Sequence, residues 1–288
     1  MRRLGRVVAI GGGHGLAASL AALRTVSDEV TAVVSMADDG GSTGRLRDEL
    51  QVPAVGDLRK ACVALAAPDS LLAAAMTRRF EAGDLAGHAF GNLLIAALAE
   101  ECGDLVGALD EIRLLTSGVG RVLPVASEQL VLCATTMSGE RLVGQVRIMG
   151  TEGLDHVGFE PSDPDVPKET LAALDDAELI VLGPGSLFTS ILAAASVPAV
   201  DERLAAATVP VVYVCNLHPQ VGETAGYGVA DHVAALSRHR IRPTVVLYDP
   251  STIGGAEGVP GAVPADLVRE NGLAHDPLKL AEALGALG

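Results

Sequence analysis

Tryptophan is absent from this 288-residue chain, and three tyrosines and four phenylalanines are its only large aromatic side chains. Stacking platforms for bases or sugars are therefore scarce, and helix-on-sheet packing has to come from aliphatic contacts. Positive charge is also thin: 21 Lys and Arg stand against 36 Asp and Glu, a net charge of −15. That field repels polyanions at long range, and no Lys/Arg-dense stripe offsets it locally, so nucleic acid is not an expected partner. A small phosphate ligand remains open, because a few Arg side chains and backbone amides capture it at hydrogen-bonding distance. The four cysteines, Cys62, Cys102, Cys133 and Cys215, form no Cys-x-x-Cys pair and have no His at metal-finger spacing, which reads as reduced cytosolic thiols. No apolar run reaches the roughly 18 to 20 residues that span a bilayer. The basic start, Met1 to Arg6, leads into an apolar run, Val7-Val8-Ala9-Ile10, too short for a signal sequence. A cytoplasmic protein with no integral membrane segment is expected.

What is present is a globular balance, 49% apolar and 20% charged, and a repeated local theme. Val7 to Ile10 reads as a strand that ends in Gly11-Gly12-Gly13-His14-Gly15, after which Leu16, Leu20 and Leu23 recur at helical spacing. Thr31 to Met36 reads as a second strand running into Ala37-Asp38-Asp39-Gly40-Gly41-Ser42-Thr43-Gly44. From about 56 to 115 the periodicity is helical, and between about 121 and 160 it shifts towards two, including Leu142 to Ile148, which predicts a small antiparallel insertion. Alternation of strand and helix then resumes, with strands at Leu179–Leu182, Val209–Cys215 and Thr244–Tyr248. The expected architecture is α/β: a Rossmann-like three-layer αβα unit, one domain over residues 1–288, with a mostly parallel sheet, a helical segment and the β insertion.

In such a sheet, ligands bind beyond the carboxyl ends of the strands, so the turns there carry the functional reading. Gly13-x-Gly15-x-x-Ala18 fits the permissive dinucleotide-type turn, in which backbone amides meet a phosphate at a helix N-terminus; glycines needed only for a tight turn are the competing explanation. Asp38, Asp39, Gly41, Ser42, Thr43 and Arg45 combine carboxylates, hydroxyls and a guanidinium within a few residues, a mixture suited to a phosphate or a divalent cation. Helix capping by Ser42 or Thr43 is the alternative. Asp57 begins a helix and is equally an N-cap or a ligand. His88, Gly91 and Asn92 fall on one face of an aliphatic helix, as a site or as a core hydrogen-bond network. Gly183-Pro184-Gly185-Ser186, with Thr189 and Ser190 in the first turn of the next helix, makes a second phosphate cradle without the lysine of a P-loop. Asn216, Glu223 and Thr224 bring an amide, a carboxylate and a hydroxyl to the same sheet edge. Cys215, at a strand end, is more naturally packed than nucleophilic.

Taken in order, Gly11 to Leu16, Ala37 to Arg47, Gly56-Asp57-Leu58-Arg59, His88 to Leu94, Leu182 to Leu187 and Gly222-Glu223-Thr224 resemble the YvcK-type gluconeogenesis factor family. That family in turn is similar to the 2-phospho-L-lactate transferases (CofD-type). The resemblance implies a Rossmann-like core, binding of a UDP-sugar such as UDP-GlcNAc, and a cytoplasmic role in growth on gluconeogenic carbon sources, cell shape and cell-wall synthesis. Cell-wall or metabolic regulatory proteins would be its partners, and a homodimer is the base-rate expectation. Departures are His14 in place of a usual Thr, Lys60 in place of a usual Asn, and the stretch Cys215 to Val221.

The residues then support a nucleotide-sugar binder, with Gly12, Gly13, His14, Gly15, Gly185 and Ser186 around the diphosphate and Gly11 and Gly183 among the binding residues. Arg45 would pair with a phosphate, Asn216 would orient a polar edge, and Arg59, His88, Asn92, Thr189, Glu223 and Thr224 complete the site. The alternative is a transferase of phosphorus-containing groups acting on a nucleotide-diphosphate-activated donor, with Asp39 and Asp57 holding Mg²⁺. No other cofactor is called for. A nicotinamide-dependent dehydrogenase would rest on the first turn and its acidic neighbour alone, and leaves the later glycine turns unexplained.

Overall fold

A computed structural model describes residues 3–40 and 54–287. Seven strands form the main sheet: β1 (Leu4–Gly11), β2 (Ser27–Val34), β3 (Arg121–Pro124), β7 (Leu179–Leu182), β8 (Val211–Val214), β9 (Val245–Tyr248) and β10 (Ala262–Pro264), in the spatial order β10-β9-β8-β7-β1-β2-β3. Every neighbouring pair is parallel. Leu179–Leu182 and Val211–Val214 are buried at every position, the continuous apolar run expected of a strand covered on both faces.

Two sets of helices cover the sheet. α1 (Gly13–Val26) packs on α2 (Gly56–Leu65) and on α10 (Pro277–Gly285), with α3 (Leu71–Thr77), α4 (Phe90–Cys102) and α5 (Leu105–Leu115) beside them. Arg24, in the last turn of α1, donates to the carbonyls of Ala64 and Ala66 at 2.9 Å each, a cation on the C-terminal end of α2 that locks the two helices together. In the second set, α7 (Lys168–Asp175) packs on α8 (Pro198–Ala206), and a π-helical turn, Leu187–Leu192, runs into Ala193–Ala195 against β1. α9 (Val229–Arg238) precedes β9.

The chain runs outward from β1 through β2 to β3, makes an excursion, returns to β7 beside β1, and runs outward the other way through β8 to β10. The sheet's switch point therefore lies between the carboxyl ends of β1 and β7, where two of the glycine turns meet.

The excursion is a three-stranded antiparallel sheet, β4 (Val131–Thr136), β5 (Arg141–Val143) and β6 (Leu154–Glu160), in the order β5-β4-β6. It starts later than the period-two pattern predicts, because Arg121–Pro124 pairs in parallel with β2 and belongs to the main sheet. The predicted strand over 142–148 stops at Val143. Gly144, at φ +94, turns the chain, and Gln145–Met149 is a short helix, α6, whose first amides are capped from elsewhere in the fold. Two elements were not expected from the sequence: the three-residue edge strand β10 and the last helix, α10. None of the helices among the described residues is long and apolar enough to cross a membrane.

Candidate functional site

The β1 turn is built to leave amides open. α1 begins at Gly13, whose φ of +64 favours glycine, and its N-cap is Gly12, which has no side chain with which to cap it. The first N–H groups of a helix have no intrahelical acceptor, so this terminus presents donors and a positive dipole end at the switch point. Gly15 is required by contact: a Cβ there would run into the Pro184 carbonyl oxygen and lie 2.8 Å from the Gly185 Cα. The two glycine turns touch through backbone, and Ser19 Oγ, donating to the Gly183 carbonyl at 2.6 Å, holds them in that position.

The β7 turn is filled from within. Gly185 N donates to Asn216 Oδ1 at 3.1 Å, Ser186 Oγ accepts from Gln220 Nε2 at 3.1 Å, and Thr189 N donates to Glu223 Oε2 at 3.1 Å. All three side chains come from the loop after β8. Thr224 Oγ1 steadies that loop by accepting from Gln220 N at 2.9 Å. Glu223 is 1% exposed, and among the described residues its Oε1 and the Thr189 Oγ1 have no hydrogen-bond partner. Burial pushes its carboxyl above the usual range, with the nearby Thr189 and Ser186 hydroxyls and the Thr189 and Phe188 amides pulling part of the way back. Thr189 and Ser190, placed by the sequence in a phosphate cradle, are buried in the π-helical turn.

On the β2 side, Asp57 lies in the first turn of α2 with its carboxylate against the β1 turn; a Cβ on Gly12 would lie 2.5 Å from Asp57 Oδ2. Lys60 Nζ sits 2.8 Å from Asp57 Oδ1. Burial, then the neighbouring Lys60, lowers the pKa of His14. Arg59 is buried and donates from Nε to Asn92 Oδ1 at 2.9 Å, which brings together two residues 33 apart in sequence. Burial and the nearby Arg79 lower the basicity of Arg59. Gly91 allows the approach, since a Cβ there would come 2.7 Å from Arg59 Cδ. His88 is buried but precedes α4, whose N-cap is Ala89, so it does not share a helical face with Asn92.

Asp38 Oδ1 accepts from Gly40 N at 3.0 Å. Asp39 is the cap of α6: its two oxygens accept from Gln145 N at 2.8 Å and Val146 N at 3.1 Å. This bond explains why 145–149 is helix rather than strand. Asp39 is held by two amides and Asp57 is paired to an ammonium, so each carboxylate named for Mg²⁺ already has a partner. No group of three or more metal-binding side chains exists among the described residues. The calls on Gly41, Ser42, Thr43 and Arg45 lie outside the described residues.

A cavity of about 300 Å³ opens at the switch point, lined by His14, Gly15, Pro184, Gly185, Asn216 and His218, and also by Gln220 and Leu273 to His275. The last segment was not foreseen, because nothing in its composition marks it. It is tied down by tertiary bonds: His275 Nε2 to the Cys215 carbonyl at 3.1 Å and His218 Nε2 to the Gly272 carbonyl at 2.8 Å. Upstream, Asp249 accepts from Leu267 N at 2.8 Å and Val268 N at 3.1 Å. Burial pushes the Asp249 carboxyl up, but the Ser251 hydroxyl and three amides outweigh it and hold it below its ordinary value. Cys215 is buried, and burial pushes its thiol up to about 12, so it is packed rather than poised as a thiolate.

The family profile described as 2-phospho-L-lactate transferase CofD matches residues 7–255. A Deinococcus radiodurans protein provisionally named as a gluconeogenesis factor is 40% identical over 97% of this chain, which spans 65% of that protein's length. The gluconeogenesis factor of Bacillus subtilis is 39% identical over 81% of this chain and 74% of its own. A crystal structure of a UPF0052 family member from Bacillus halodurans superposes with a TM-score of 0.91 at 34% identity, covering 99% of each chain. The shared switch-point architecture and these likenesses lead to one assignment: the chain belongs to the CofD family, among the members named gluconeogenesis factors.

Proposed function

We propose that the chain binds a nucleotide-diphosphate sugar, of the UDP-GlcNAc type, at the switch point, and that it acts as a regulatory binder. The observation that carries this reading is the uncapped N-terminus of α1 facing the cavity between the β1 and β7 turns. Free amides and a helix dipole favour a diphosphate there. The remaining cavity wall, His218 and Leu273 to His275, is polar and aliphatic by turns and is suited to the uncharged end of such a ligand. Occupancy would stabilise the contact between the β1 turn, the β7 turn and the C-terminal segment, a composite surface that partner proteins can read. Through such partners, this reading extends to growth on gluconeogenic carbon, cell shape and cell-wall synthesis.

The family profile's description favours a second reading, transfer of a phosphorus-containing group from a nucleotide-diphosphate-activated donor. The same diphosphate site would serve it.

A thermal-shift and calorimetry panel of UDP-GlcNAc, UDP-glucose, GDP and NAD separates the two. A ligand at about 100 times its Kd raises stability by about 2.7 kcal/mol. Stabilisation by UDP-sugars recovered intact is the expected result. Stabilisation by GDP that depends on Mg²⁺ would favour the transferase, and no shift with any of the four would remove both readings.

A further inference from the structure

We propose that Lys60 supplies, from the protein itself, the positive charge that a divalent cation would supply beside Asp57, so that the α1 terminus takes a diphosphate without metal. The inference rests on the diphosphate reading of the same site and adds its charge logic.

An anion at the α1 amides faces an obstacle. The Asp57 carboxylate is 7% exposed and packed against Gly12, the residue that opens the turn. An unpaired carboxylate there would repel the ligand through a low-dielectric path. Lys60 Nζ neutralises it at 2.8 Å, one helical turn along α2. The Lys60 side chain is only 24% exposed, so the ammonium is held in place rather than free in solvent. Its charge is also felt on the other side of the turn, at His14, where it is the strongest charge acting against protonation. An ammonium has three N–H donors, and among the described residues Asp57 Oδ1 takes one, leaving two for phosphate oxygens. Each Asp39 oxygen accepts from an α6 amide, the Asp57 carboxylate already has its cation, and no group of three or more metal-binding side chains exists among the described residues.

The test is calorimetric titration of UDP and of inorganic pyrophosphate into the wild-type chain, in EDTA and in millimolar MgCl2, repeated with Lys60→Gln and Lys60→Arg. Gln keeps a donor for Asp57 while removing the charge, and thermal melts check that each variant is folded. The expected result is wild-type UDP affinity unchanged by Mg²⁺, a loss of about tenfold or more in Lys60→Gln, and affinity within about threefold of wild type in Lys60→Arg, the pattern of a charge-assisted contact. Wild-type binding that requires Mg²⁺ overturns the inference while leaving the diphosphate reading in place, as does Lys60→Gln binding like wild type. If Lys60→Gln does not fold, the EDTA and MgCl2 titrations of the wild type decide by themselves. Absence of any UDP or pyrophosphate binding overturns both.

Discussion

The β1 turn and the β7 turn carry the same local signal, a parallel strand ending in glycines and leading into a helix, yet they end in opposite states. Among the described residues, the first has no side-chain cap on its helix terminus, which leaves its amides open. The second has two of its amides taken by Asn216 and Glu223 and its Ser186 hydroxyl oxygen taken by Gln220, all from one loop. Glycine content thus reports that backbone approaches something closely, but not what it approaches. At Gly13 the glycine supplies a positive φ, at Gly15 it admits another backbone, and at Gly185 the amide already has a protein acceptor. A phosphate site in this family member is therefore better sought at α1 than spread evenly over both turns.

The largest expected effect comes from forcing the turns apart. Gly15→Ala should lower unfolding stability by about 3 kcal/mol, because its methyl group meets backbone that cannot yield. Gly13→Ala, with nothing within 4 Å of its Cβ and only the φ of +64 to oppose it, should cost about 1 kcal/mol. Urea denaturation of the pair reads this contrast directly; equal losses would mean that the turns are not locked by contact.

Acid should loosen the cavity wall next. Burial lowers the pKa of His275 from 6.5 to about 4, so the folded chain refuses a proton that the unfolded chain accepts. Its contribution is complete above pH 6.5 and is lost as pH falls from 6.5 towards about 4, at most about 3 kcal/mol. Stability measured across that window should fall less in His275→Gln than in wild type; parallel curves would contradict the assignment.

Breaking the internal filling of the β7 turn is expected to be milder. Glu223→Ala, which orphans the buried Thr189 N–H, should cost about 2 kcal/mol, and Glu223→Gln, which keeps a carbonyl acceptor, less than about 1 kcal/mol. Asn216→Ala should cost about 1 kcal/mol, since Gly185 is half-buried and water can take over part of the bond. Its UDP affinity should stay within about fivefold of wild type, or about 1 kcal/mol. A larger loss would move the diphosphate to the β7 turn and end the asymmetry between the two.

Much of this was legible in order along the chain. The aliphatic runs ending in glycine placed β1 and β7, and the aliphatic run Val209–Cys215 placed β8. What was misread shows where local pattern runs out. Leu142 to Ile148 alternates like a strand, but Asp39, about a hundred residues earlier, caps the amides of Gln145 and Val146 and makes them a helix. Arg121–Pro124 looks like the start of the antiparallel unit, but its partner is β2. The C-terminal wall of the cavity has no motif at all and is held by His275, His218 and Asp249 through bonds to distant backbone.

By itself, the sequence determined the α/β class, the strand-end turns and the family, because apolar periodicity and glycine placement act over a few residues. Only the tertiary structure decided which turn stays open, which carboxylates are already paired, and which segment closes the cavity. Those outcomes depend on acceptors and charges brought from tens of residues away, and a buried donor takes whichever acceptor the fold delivers.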